Sequence, residues 1–166
     1  NNIVSAIIVG LCRLILHKHI SSVETVVKLL LKYFNPATSD EIMQILGVFF
    51  KNLADRRMQE LLQKALFPTL TAIIDAPSES PLQDVDASKL IQFVINLTKP
   101  EYCQPGLNIH NTIALAFFGI LKDDEESNQE VAKIFASELV TLEISDDPSL
   151  KNDFKTCVDE LVQGIK

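Results

Sequence analysis

The chain has 166 residues, 47% of them apolar, and a mean hydropathy of +0.18, which is enough for a substantial core and excludes a disordered chain. Trp is absent, Gly numbers five, and the regular turn signals of a sheet protein are missing, which points to helices. The net charge of −7 makes the whole a poor free-standing nucleic-acid binder, but it is unevenly spread: residues 1–76 carry eight Lys/Arg against six Asp/Glu, residues 77–166 seven against sixteen.

Helical hydrophobic spacing runs almost end to end. Helix one, about 3–17, is apolar nearly all round, as in a helix packed on several sides. Its run from Ile3 to Leu16 is interrupted by Arg13 and is too short for a bilayer, which needs about 20 residues. Helix two carries Val23, Val26, Val27, Leu30, Leu31 and Phe34 on one face, with Ser21 and Glu24 as a capping box and Asn35-Pro36 as its stop. Helix three, about 39–53, turns Ile42, Ile45, Leu46, Phe49 and Leu53 inward behind a second box, Thr38 and Glu41. Helix four, about 56–75, buries Met58, Leu61, Leu62, Ala65, Leu66, Leu70 and Ile73, with a kink or break expected near Pro68.

The segment Ala76 to Asp84 is the longest loop. Helix five, about 86–99, buries Leu90, Ile91, Val94 and Leu97; helix six, about 107–121, buries Ile109, Ile113, Ala116, Phe117 and Ile120. After the acidic run Asp123 to Glu126, Ser127 and Glu130 box helix seven, about 128–143. Asp147 reads as an N-cap with Pro148 in the first helical position, and helix eight turns Leu150, Phe154, Cys157, Val158, Leu161 and Ile165 inward. Paired, the helices give hairpins at about 3–34, 39–75, 86–121 and 127–165, the period of HEAT or armadillo arrays. The expectation is an all-α chain, an α-solenoid of about four HEAT-type hairpins with eight main helices. Residues 1–166 would form a single domain, a fragment of a longer protein. Gly10, Gly47 and Gly119 fall inside helices, as close helix crossings would require.

Site chemistry is sparse. There is no Gly-rich phosphate loop, nucleophile elbow or zinc helix, so no catalytic residue, metal ligand or cofactor is expected. Cys12, Cys103 and Cys157 are odd in number and far apart, as in a reducing compartment. Cys12, His17 and His19 lie close in sequence but on different helix faces, and the histidines, His110 included, read as surface or helix-end residues. The acidic run reads as a solvated loop beside a helix N-terminus, and Ser80-Pro81 as turn chemistry before a kinase target. Lys28 and Lys32 on helix two, with Arg57 and Lys64 on helix four, would form one stripe touching DNA phosphate or an acidic peptide if the second helices line a concave face; ordinary solubilising charge is the plainer reading.

The loops between helices are more distinctive. Tyr33-Phe34-Asn35-Pro36-Ala37-Thr38 precedes Ile45-Leu46-Gly47-Val48-Phe49-Phe50, then Leu66-Phe67-Pro68-Thr69-Leu70, Ala76-Pro77-Ser78-Glu79-Ser80-Pro81-Leu82, and Phe93 to Lys99. This order, over about residues 30–100, resembles the C-terminal HEAT-repeat region of the condensin Cap-G subunit. Lys51 follows Phe49-Phe50 where that pattern has a proline, and the tryptophan before its turn is missing, which marks a divergent member. The resemblance implies a non-catalytic subunit of the complex that condenses mitotic chromosomes, found in the nucleus, on chromosomes and in the cytoplasm. It implies the kleisin subunit as direct partner, SMC subunits through the complex, and double-stranded DNA mainly through a longer N-terminal portion. No membrane partner is implied, and an exposed solenoid end at helix one would favour self-association. The alternative is an unrelated HEAT or armadillo adaptor, of transport or cohesin type, that binds a linear peptide.

Overall fold

The structure, a computed structural model, describes residues 2–164. Among the described residues it is all helical: α1 (Asn2–Leu16), α2 (Val23–Phe34), α3 (Asp40–Asp55), α4 (Gln59–Ile74), α5 (Ala87–Leu97), α6 (Ile109–Leu121), α7 (Glu126–Ala136) and α8 (Pro148–Gly164). Single 3-10 turns occupy Pro81–Asp84, Pro100–Tyr102 and Leu139–Thr141. Like helices stack on like: α1 lies along α3 and α5 along α7, while α2 lies along α4, α4 touches α6, and α6 touches α8. This two-layer stacking is that of an α-solenoid of HEAT-like hairpins, whose faces are too apolar to be buried singly.

Helix α4 is the axle, because it also meets α5 and α7. Its buried residues therefore run beyond one stripe: Leu62, Ala65, Leu66, Leu70 and Ile73 are joined by Gln59, Phe67 and Thr69. Pro68 lies on an exposed position and the helix continues through it rather than breaking. Aromatic rings tie the hairpins together. Phe93 of α5 sits 5.3 Å from both Tyr33 and Phe34 and 5.6 Å from Phe50, and Phe135 of α7 sits 5.1 Å from Phe67 and 5.3 Å from Phe117. Such offset and edge contacts are worth about 0.5–1.5 kcal/mol each beyond area burial.

Three capping boxes read from the sequence are not formed. Ser22, not Ser21, caps α2, its oxygen accepting from Thr25 N–H at 3.1 Å, which leaves Glu24 free to pair with Lys28. Thr38 is buried and donates instead to the Lys32 carbonyl at 2.6 Å, closing the Asn35-Pro36 turn. Helix α7 starts at Glu126, so Ser127 lies inside it and donates to Asp75 at 2.6 Å. At α8 the reading holds: Pro148 opens the helix and Asp147 accepts from Ser149 N–H at 2.8 Å.

Packing departs from expectation at both ends. Helix α1 buries one face, Ser5, Ile8, Cys12 and Ile15, and exposes Ile3, Val4, Ile7 and Leu14, because its main contact is α3. Helix α8 buries no residue: Leu150, Phe154, Cys157 and Leu161 are half-buried and Val158 is exposed, since α6 is its one substantial neighbour. Ile165 lies outside the described residues. Of the helical glycines, Gly47 faces Tyr33, whose hydroxyl would stand 3.6 Å from an added Cβ, whereas Gly10 and Gly119 have no neighbour within 4 Å and mark no crossing.

Candidate functional site

The turns inside the first two hairpins repeat one backbone solution. After α1, Lys18 N–H donates to Ile15 O and His19 N–H to Leu14 O, both at 2.9 Å. After α3, Arg57 N–H donates to Ala54 O at 2.9 Å and Met58 N–H to Leu53 O at 3.0 Å. These are two Schellman closures, with Lys18 (φ 61°) and Arg57 (φ 57°) at the left-handed position. Glycine is the usual residue there, and a side chain costs about 1 kcal/mol or more. Both turns nonetheless carry a cation, which gains from the negative helix C-terminus.

Side chains then lace the turns into one edge. Arg56 Nη1 donates to Leu16 O at 3.0 Å, satisfying an end carbonyl of α1. Gln59, buried at the start of α4, donates to Ala54 O at 3.1 Å and to Tyr102 O at 2.8 Å, reaching the third hairpin's turn. In sequence Gln59 is an unremarkable polar residue; its position one step beyond the second αL turn is the signal that it faces a neighbouring turn.

The edge opens into a cavity of about 280 Å³ lined by Lys18, Ser21, Arg57, Glu60, Lys64 and Leu61, with Ile20 and Met58 behind them. It gathers Arg57 and Lys64 of the expected stripe and adds Lys18, which the stripe did not include. Lys28 and Lys32 are not among its lining residues. Lys28 is held 2.8 Å from Glu24, and that bond draws the Glu24 carboxyl below its usual range; Lys32 is exposed near the end of α2. Lys18, Arg57 and Lys64 are all exposed, and among the described residues none of the three is in an ion pair.

His110, read as a surface or helix-end histidine, does stand at the start of α6 but is fully buried. Its Nε2–H donates to Ile95 O at 2.9 Å while Nδ1 accepts from Glu143 N–H at 2.8 Å, so the ring is the neutral tautomer. Burial lowers its pKa against the smaller opposing effects of the Ile95 carbonyl and Glu143. Asn108 and Asn111 hold the same segment: Asn108 donates to Glu143 O at 2.9 Å, and Asn111 bonds Ser145 Oγ at 2.8 Å and Ser145 N–H at 3.0 Å. The first turn of α6 thus clasps the extended stretch that leads to α8. Sequence position put these three residues at a helix start, but their partners in the clasped stretch, Glu143 and Ser145, lie about 33–35 residues away and carry no local signal.

The remaining candidates are structural in setting. Cys12 is buried, which pushes its thiol up to about 11, and it lines an apolar groove of about 480 Å³ between α1 and α3. Among the described residues no group of three or more His, Cys, Asp or Glu gathers as a metal site. The acidic run turns back on itself, Asp123 accepting from Glu125 N–H at 3.1 Å and from the Gln129 side chain at 2.6 Å. Ser80 caps the turn at Pro81–Asp84, accepting from Leu82 N–H at 3.2 Å. Among the described residues no helix is long and apolar enough to cross a membrane.

Against known proteins, residues 1–144 match the C-terminal domain of nuclear condensing complex subunits. The chain belongs to this family. It is 26% identical over 170 residues to condensin complex subunit 3 of Homo sapiens, covering 95% of the chain, and 31% identical over 150 residues to that of Xenopus laevis, covering 82%. It spans 16% and 14% of those two proteins' lengths. The family match ends before α8 begins at Pro148.

Proposed function

We propose that this chain is a non-catalytic HEAT-repeat segment of a condensin subunit of the Cap-G type, working on chromosomes in the nucleus. It would form one domain within a longer protein that meets the kleisin directly and the SMC subunits through the complex. The observation that carries this reading is the family match over residues 1–144, which runs through α1 to α7 of the hairpin stack. In this reading the second half, with its excess of acid, is a protein-docking scaffold. Exposed cations of the first half, Lys28, Lys32, Arg57 and Lys64, supply what contact there is to an acidic partner or DNA.

The test is affinity purification of the full-length parent protein from mitotic extract. Recovery of the kleisin and both SMC subunits is expected; recovery of transport cargo with no SMC or kleisin subunit would overturn the assignment in favour of an adaptor. Duplex DNA should bind the 166-residue chain weakly at physiological salt, and nanomolar affinity there would overturn the scaffold role.

A further inference from the structure

We infer that the cavity at the edge of the first two hairpins is a receptor for a single phosphorylated side chain of a peptide. The inference does not rest on membership of condensin, and its test can fail while that assignment stands. Three cations reach the cavity from three separate elements: Lys18 from the turn after α1, Arg57 from the turn after α3, and Lys64 from α4. All three are free of ion pairs among the described residues, and Glu60 is the one carboxylate that lines the cavity with them. Helix-end electrostatics explains a cation after α1 and another after α3. It does not explain why the two converge, nor why Lys64, in the second turn of α4, joins them.

The chemistry fits a phosphate monoester. A phosphorylated serine or threonine brings a charge of about −1.5 to −2 and three acceptor oxygens, which an Arg fork and two Lys ammonium groups satisfy. Ile20 and Leu61 supply apolar wall for the carbon skeleton beside the phosphate. A duplex is the poorer occupant. It presents one charge for about every 1.7 Å of axis and needs cations in a row, whereas these surround one cavity of about 280 Å³ on a chain of net charge −7.

The backbone provides a clean variant. Lys18 and Arg57 occupy αL positions where glycine is preferred, so replacing both by glycine removes two charges without straining either turn. The experiment is fluorescence anisotropy of the 166-residue chain with a degenerate peptide library bearing a fixed central phosphoserine, its unphosphorylated twin, and a duplex DNA. The phosphorylated library should bind at least about tenfold more tightly than its twin, and millimolar inorganic phosphate should displace it. The K18G/R57G variant, with unchanged or raised Tm, and K64E should each lose about tenfold or more. Equal binding of the two libraries would overturn the proposal. So would duplex DNA bound more tightly than the phosphorylated library and lost in the same variants, or full binding retained by K18G/R57G.

Discussion

The first two hairpins and the last two are built from the same unit but are held differently. In the first half, α2 and α3 share the aromatic contact of Tyr33 with Phe50, and the turns after α1 and α3 are laced by Arg56 and Gln59 into an edge carrying free cations. Helices α5 to α8 carry most of the acid and end in a helix with no buried residue, tied on by the Asn108, His110 and Asn111 clasp and by the Lys122–Glu160 ion pair. The lesson is that in a stack each hairpin's stability is set by its neighbours. A helix in the middle, α4, is buried on more than one face; a helix at the end, α8, is amphipathic in sequence and half-exposed in fact.

The largest test of this contrast is a pair of truncations. Leu66→Ala, at a fully buried site on α4, should cost about 2–5 kcal/mol, while Leu161→Ala, half-buried on α8, should cost under about 1 kcal/mol, as read from urea unfolding midpoints. Equal losses would mean that α8 is packed as tightly as the axle.

His110→Ala comes next, at about 2 kcal/mol, because it leaves the Glu143 N–H without its buried partner and takes from the Ile95 carbonyl its shortest bond. The clasp is also pH-dependent. The folded-state pKa lies below the ordinary value of 6.5, so between the two the unfolded chain binds more protons. The contribution is therefore complete above about 6.5 and is lost as pH falls below it. Glu143, which favours the protonated ring, and Lys99, which opposes it, are the charged groups facing the histidine. Thermal melts at about pH 7.5 and pH 5.5 should show a larger drop for the wild-type chain than for His110→Gln; parallel drops would remove the clasp as the titrating element.

The smallest effect should be the same in both halves. Gly10→Ala in α1 and Gly119→Ala in α6 enter open space, so each should stabilise by about 0.5–1 kcal/mol through helix propensity alone. A gain at one and a loss at the other, measured by thermal melts, would show that an unseen contact distinguishes the two helices.

Helix number and order, and the inward faces of α2 to α6, were legible in the sequence because the 3.6-residue period is a local signal, whereas the faces expected of α1 and α8 and the break expected at Pro68 were not found. Pro148 at the head of α8 and the turn at Asn35-Pro36 were legible as well. The capping boxes failed because Ser and Thr hydroxyls bond whichever group the chain path brings near: Thr38 donates to the Lys32 carbonyl and Ser127 to the Asp75 carboxylate. The same limit hid the burial of His110 and the lacing role of Gln59, because Glu143 and Tyr102, the partners that decide them, are 33 and 43 residues away.

What the sequence by itself determined is an all-helical stack of HEAT-like hairpins, since amphipathic spacing and turn residues act within a few residues of themselves. What only the tertiary structure decided is which cations meet. Lys28 and Lys32 share a helix face and Lys28 is taken by Glu24, whereas Lys18 is far along the chain from Arg57 and Lys64 and meets them because two αL turns and the start of α4 come to one edge. Convergence of that kind depends on how hairpins stack, and stacking is settled by packed surfaces that no local window contains.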